Sequence, residues 1–261
     1  MNNSHTMQAA QYLQDLWRSE TRCRELPEHL RPATRTEGYR VQAGMEHLTS
    51  TPLCGWKIAA TSIAGQKHIG VDGPLAGRYI SERTVASGAA IPFGKNHMAV
   101  AEIEFAFRLG EDLPPRNHPY TEDDVFRAVA SMHPAIEIPD SRFDRFETVG
   151  APQLIADNAC AGWLVVGNAA PGDWRDIELS SFQPTGRVTG KPDVVGIGSN
   201  VLGSPRIALT WPVNELSSLG LGAKAGQTVT TGTCLVPMKI SVGDQIEGDF
   251  GSLGHVSVTI E

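Results

Sequence analysis

Two glutamates one residue apart, Glu102 and Glu104, lie in the run Ala101-Glu102-Ile103-Glu104-Phe105-Ala106-Phe107. Alternating β-branched and aromatic residues predict a strand that turns Ala101, Ile103, Phe105 and Phe107 to the core. Glu102 and Glu104, with Ala106 beside them, then share the other face. Residues i and i+2 on one strand face stand roughly 6–7 Å apart. Two carboxylates that close repel each other unless a proton or a cation lies between them. Taken alone, the pair reads most plainly as a solvated polar face. Glu137, in Pro134-Ala135-Ile136-Glu137-Ile138, adds a third carboxylate among apolar residues. Asp140 and Arg142 just after it offer an ordinary salt bridge as the plainer alternative. Three carboxylates on two strands form an oxygen-only donor set of the kind that suits Mg²⁺ or Mn²⁺, with water or substrate filling the remaining positions.

Other residues with chemical potential are fewer. Lys57 lies in the apolar run Gly55-Trp56-Lys57-Ile58-Ala59-Ala60. It either snorkels to the surface or is a buried ammonium with a carboxylate or an anionic substrate nearby. Thr231-Gly232-Thr233 follows the alternating Thr228-Val229-Thr230. That turn offers hydroxyl and backbone N–H donors to a carboxylate, or simply ends a strand. His68, His97 and His133 each qualify as a base on residue type, yet no HExxH or paired metal spacing occurs. Gly196-Ile197-Gly198 lacks the third glycine and the strand–turn–helix frame of a dinucleotide site. Gly190-Lys191 runs into Pro192 and is no P-loop, and no GxSxG elbow is present.

The elements that must position these groups fall into two textures. Residues 1–50 read as a helical cap. Ala9, Leu13, Leu16 and Trp17 recur at helix spacing, and a second helix opens on Thr34 and Glu37 at capping-box spacing. Residues 51–261 read as the catalytic body, with short β-like runs punctuated by Gly and Pro: an α+β, mainly β architecture. One late helix is expected from Ser204 as cap and Pro205 in its first turn, ending at Gly220 and kinked or split at Pro212. With 41% hydrophobic and 20% charged residues the 261-residue chain is an ordinary globule, not a disordered one. A net charge of −7 disfavours a nucleic-acid groove or an anionic membrane surface and leaves room for a cation. No apolar run of about 18 residues is present, so no membrane span is expected. Cys23, Cys54, Cys160 and Cys234 are widely spaced. Reduced thiols in a cytoplasmic protein are therefore expected.

Read together, the segments resemble the fumarylacetoacetate hydrolase superfamily, and within it the 2-oxopent-4-enoate hydratases and 4-oxalocrotonate decarboxylases. The likeness is carried by WKIAATSIAGQKHIGVDGPLAG (56–77), AEIEF (101–105), PAIEIPDSR (134–142) and DNACAGWLVVG (157–167). GSNVLGSPRIALTW (198–211), TVTTGTC (228–234) and GDQIEGDFGSLGHVSV (243–258) extend it in the expected order. The ordered set carries the likeness more than any single motif does.

This resemblance implies a fumarylacetoacetase-like roll with Glu102, Glu104 and Glu137 as ligands of Mg²⁺ or Mn²⁺ and Lys57 lining the same site. It implies a small 2-oxo or 2-hydroxydienoic acid as substrate, its carboxylate held by Thr231 and Thr233, and a homo-oligomer. The expected activity is a hydro-lyase of aromatic catabolism. A decarboxylase, an acylpyruvate hydrolase and a silent 2-oxo acid binder are the rivals. One departure stands out. Hydratases of this branch carry an acid in a Pro-Asp-Phe-Gly-like turn where this chain reads Pro74-Leu75-Ala76-Gly77. Leu75 then lines the substrate cavity, and Asp72 or His68 is the nearest residue able to substitute for the acid.

Overall fold

Caps and apolar spacing set the first helices. In the computed structural model, which describes residues 1–261, α1 (Asn3–Ser19) is capped by Asn2, whose side chain accepts from His5 N–H at 2.8 Å. α2 (Arg35–Gly44) is capped by Thr34, whose hydroxyl accepts from Glu37 N–H at 3.2 Å. Glu37 Oε2 reaches Ala33 N–H instead of Thr34 N–H, at 2.8 Å, so only half of the expected capping box forms. These helices share one apolar cluster with later elements: Ala9, Leu13 and Val41 pack with Leu75, Leu154 and Ile155.

The body begins with β1 (Leu53–Ala59), α3 (Ile63–His68), β2 (Leu75–Ile80), β3 (Thr84–Ala86) and β4 (Ala89–Ile91). β5 (Val100–Leu109), α4 (Glu122–Arg127), β6 (Val129–Ile138), α5 (Ala151–Ala156) and β7 (Trp163–Val166) follow. β8 (Thr185–Val188), β9 (Val194–Val195) and α6 (Pro205–Ser218) precede the last strands, β10 (Thr228–Thr233), β11 (Met238–Lys239), β12 (Gln245–Asp249) and β13 (His255–Ile260). One sheet runs β2-β1-β10-β5-β6-β7-β3, with β11 added beside β5, and a second runs β4-β13-β12-β8-β9. The mixed α+β class expected from the sequence is the one observed.

The larger sheet curls into a half-barrel. Tyr79 of β2 packs with Ala106 of β5, Ala135 of β6 and Leu164 of β7, although β2 and β7 are far apart in the strand order. The two edge strands are joined by Ser81–Arg83 alone, and Thr84 Oγ1 donates to Ile80 O at 3.1 Å across that corner. Small side chains at 106 and 135 are what a tightly curved interior admits beside a tyrosine. On the outer face of β5, Ile103, Phe105 and Phe107 are fully buried, and the Phe105 ring meets Phe250 edge-on at 5.1 Å. Each such side chain contributes roughly 1.5–3 kcal/mol through burial. This apolar face anchors β5, so its alternate residues must point into the half-barrel.

α6 is not split at Pro212. Ser204 caps it, accepting from Arg206 N–H at 3.2 Å, and Pro205 occupies its first turn. The helix nevertheless continues through Pro212 to Ser218 without a break. The ring removes one N–H, and burial of Ala208, Leu209, Val213 and Leu216 offsets that loss. No helix is long and apolar enough to cross a membrane. All four cysteines are free thiols.

Candidate active site

Antiparallel pairing of β5 with β6 places Glu102 opposite Glu137 and Glu104 opposite Ala135. The three carboxylates point into the half-barrel, and one oxygen from each lies within 4.8 Å of the others. Glu104 and Glu137 are completely buried, whereas Glu102 keeps part of its surface open. Glu104 Oε2 accepts from Gly232 N–H at 2.9 Å. Glu104 Oε1 and Glu137 Oε2 are buried with no hydrogen-bond donor, and Glu137 Oε1 faces only the Lys57 ammonium. Buried acceptors without donors are costly, so two of them within a cluster of three carboxylates is an unstable arrangement for protein groups alone. A hard divalent cation fits that donor set: oxygen only, converging and hydrogen-bond deficient.

Lys57 projects from β1 into the same interior and is 2% exposed. Its Nζ lies 2.6 Å from Glu137 Oε1, an ion pair that gives that oxygen its one cationic partner. Lys57 is thus the buried ammonium of the two readings, not a snorkelling one. Burial by itself would lower its pKa, but the charges of Glu137, Glu102 and Glu104 outweigh burial and raise it. The acids respond in the opposite sense. Burial and then repulsion from Glu137 push Glu102 up to about 7 and hold Glu104 well above the ordinary carboxylate range. The site favours having its negative charge neutralised, by protons or by a cation.

The expected substrate-binding residues are placed less simply. Thr231 Oγ1 donates to Phe105 O at 3.2 Å, and Thr233 Oγ1 donates to Leu235 O at 2.9 Å. Both hydroxyl protons are therefore committed to the backbone, and the Gly232 N–H is committed to Glu104. The turn shapes the carboxylate cluster; it does not present three free donors. Gly232 is required there, since it has φ +84° and a Cβ would stand 2.4 Å from Thr61 Oγ1. Leu75 opens β2 opposite Ala59, is fully buried, and belongs to the apolar cluster of the N-terminal helices. Asp72 is not brought to the cluster: its side chain is 87% exposed and pairs with Arg35 at 3.2 Å. The short loop before β2 turns it outward. His68 and His97 are exposed and stand edge-on to Phe146, and the His133 ring is bonded to Ser131 Oγ and Gly167 O.

Two groups in this interior carried no usable sequence signal. Tyr79, 1% exposed, has its hydroxyl 3.3 Å from Thr230 Oγ1. Burial and the charges of Glu137 and Glu104 raise its pKa well above normal. In Arg-Tyr-Ile it read only as strand. Asn158 forms side-chain bonds to the backbone of Arg78, eighty residues away in sequence. Neither contact exists until the sheet has curled.

No family model matches the chain. It is 32% identical over 205 residues to 2-keto-4-pentenoate hydratase 1 of Dechloromonas aromatica (strain RCB), covering 78% of this chain and 76% of that one. It is 30% identical over 209 residues to 2-keto-4-pentenoate hydratase of Paraburkholderia xenovorans (strain LB400), covering 80% and 76%. Among solved structures, 4-oxalocrotonate decarboxylase from Pseudomonas putida G7, complexed with magnesium and adipate, matches with a TM-score of 0.89. That match covers 100% of this chain and 99% of the other at 21% identity, a likeness of fold. The identity and coverage of the two hydratases show that the chain belongs to the 2-keto-4-pentenoate hydratase family of hydro-lyases.

Proposed function

We propose that this enzyme hydrates a 2-hydroxypenta-2,4-dienoate-type acid to a 4-hydroxy-2-oxo acid in aromatic catabolism. The observation that carries this reading is the buried triad Glu102, Glu104 and Glu137, short of hydrogen bonds and faced by the Lys57 ammonium. The named activity of the hydratase relatives supports it. Glu102, Glu104 and Glu137 would hold Mg²⁺ or Mn²⁺, which when bound supplies Lewis-acid stabilisation of negative charge on a 2-oxo acid. In the proposed sequence the dienol gains a proton at C5 as its C2 hydroxyl loses one. Water then adds across C3=C4, hydroxyl to C4 and hydrogen to C3. Lys57 holds a proton at Nζ and places positive charge beside the developing enolate. Thr231 and Thr233 act through the turn they brace, which sets the position of Glu104. The enzyme is read as a cytoplasmic homo-oligomer, with residues 1–50 as the helical cap of the catalytic body 51–261.

Leu75 favours a second reading. A fully buried leucine in place of an acid cannot direct a water molecule or accept its proton. A 4-oxalocrotonate-type decarboxylation needs the same enolate stabilisation and no such acid. One experiment separates them. Metal-loaded enzyme is mixed with freshly generated 2-hydroxypentadienoate and its ultraviolet band is followed. Loss of the band with formation of a hydroxylated 2-oxo acid supports hydration. CO₂ release from an oxalocrotonate-type diacid, with no hydration, supports the second reading. Metal binding with neither turnover leaves a 2-oxo acid binding protein, and no affinity for Mg²⁺ or Mn²⁺ sinks both enzyme readings.

A further inference from the structure

Lys57 reaches the carboxylates through a confined path. It lies opposite Gly77 on β2, and a Cβ at Gly77 would stand 2.8 Å from Lys57 Cγ and 3.1 Å from Cδ. The same point is 2.5 Å from Asn158 O. The lysine stem therefore crosses the neighbouring strand where only glycine leaves room, with the Asn158 backbone against the same spot.

Asn158 opens a run of three consecutive non-glycine residues in the left-handed region, with φ of 55° at Asn158, 50° at Ala159 and 59° at Cys160. Asparagine tolerates this conformation, whereas alanine and cysteine pay roughly 1–2 kcal/mol each. Such strain persists only where the surroundings over-determine it. Asn158 Oδ1 accepts from Arg78 N–H at 2.7 Å and its Nδ2 donates to Arg78 O at 2.8 Å, pairing like a peptide with the free edge of β2. Before the turn, Asp157 is tied by Ser141 Oγ at 2.6 Å and Arg142 N–H at 3.0 Å. After it, Cys160 O accepts from Asp140 N–H at 3.1 Å. Every anchor lies next to Gly77 or next to the end of β6 that carries Glu137.

We propose that the Asn158–Cys160 turn is a strained clamp on Lys57, with Asn158 and Gly77 as positioning residues that hold its ammonium against Glu137. The catalytic meaning of the clamp rests on the reading of Lys57 as part of the reaction. A turn that merely seals the edge of β2 would affect stability and leave turnover alone.

Asn158→Gly keeps the left-handed backbone and removes both bonds to Arg78. Three quantities are measured on the full chain: melting temperature, the acetylation rate of Lys57 by mass spectrometry, and kcat and KM on the dienoate. In a folded Asn158→Gly protein we expect Lys57 to acetylate at least about tenfold faster. We expect kcat to fall about 10–100-fold with KM within about twofold. Asn158→Asp keeps the acceptor for Arg78 N–H and should restore part of both. Wild-type Lys57 protection and kcat in a folded Asn158→Gly protein would overturn the clamp; if that variant does not fold, wild-type values in Asn158→Asp, which loses the Nδ2 bond to Arg78 O, would overturn it instead. A wild-type protein that turns over no dienoate removes the proposed reaction, and Lys57 acetylation then still judges the clamp.

Discussion

One buried ion pair lies inside the half-barrel and another in the loops between β6 and β7, and they are built differently. Arg142 and Asp157 are both nearly inaccessible. Asp157 Oδ1 meets the Arg142 guanidinium, and Oδ2 accepts from Ser141 Oγ and from Arg142 N–H. Every acceptor has a donor. Lys57 and Glu137 are equally inaccessible, yet the single ammonium faces three carboxylates, and Glu104 Oε1 and Glu137 Oε2 have no donor. Two pairs with the same burial thus have opposite degrees of saturation. A saturated pair closes a structure, and an unsaturated one leaves coordination capacity for something the chain itself does not provide.

The contrast should break first at Glu104. Glu104→Gln should reduce metal-dependent turnover to background, a loss of at least about 10³-fold, by removing a charged ligand. The metal-free fold should melt no lower than wild type, since repulsion is relieved. Retained Mg²⁺ binding by calorimetry would remove Glu104 from the site. Lys57→Met should lower kcat by about 10²-fold or more, and a wild-type kcat would leave the ammonium with no role in the reaction. Asp157→Asn tests the saturated pair. Leaving Arg142 buried without a countercharge should cost about 3–5 kcal/mol in denaturant unfolding, with Mg²⁺ affinity unchanged. A shared loss of affinity would show that the two pairs are not independent.

Smaller effects sharpen the same contrast. Glu102 and Glu104 bind protons more tightly in the fold than in the unfolded chain. The stabilising contribution of Glu102 is complete below about pH 4.5 and is lost as pH rises through about 7, and that of Glu104 is lost in the same direction. The metal-free protein should therefore melt progressively lower between about pH 5 and pH 7.5. Mg²⁺ at a hundred times its dissociation constant should restore about 2.7 kcal/mol at the upper end. A flat profile without metal would contradict the charge accounting of the cluster. Smallest of all, Asp72→Ala should change stability by less than about 1 kcal/mol and leave kcat untouched, because its pair with Arg35 is exposed.

What was legible in the sequence divides along the range of the interactions. The alternation around Glu102 and Glu104 is local, and so is the Ser204-Pro205 helix start; both were readable without a fold. Glu137 was readable as an acid among apolar residues, but its place opposite Glu102 depends on strand register. Residue type shows that Thr231-Gly232-Thr233 carries donors, but the acceptors of Thr231 and Gly232, Phe105 O and Glu104, lie on another strand and are set by register. Asp72 is close to Leu75 in sequence and faces away from the cluster in space. Tyr79 and Asn158 acquire meaning only when the sheet curls far enough for distant strands to touch. The resemblance grouped three glutamates that the structure brings together, while Pro212 leaves α6 unsplit because packing overrides helix propensity.

The apolar cluster that joins Ala9, Leu13 and Val41 to Leu75, Leu154 and Ile155 has a kinetic corollary. Leu75 stands two residues from Gly77 on the same strand face, and Ile155 stands three residues before Asn158. The first helices are therefore continuous with both walls of the lysine slot. Amide hydrogens of α1, of β2 and of the Asn158 turn should exchange with solvent in one cooperative opening, slower than α3 or the loop that carries Asp72. Removing the first fifty residues would then unravel the reactive centre along with its roof.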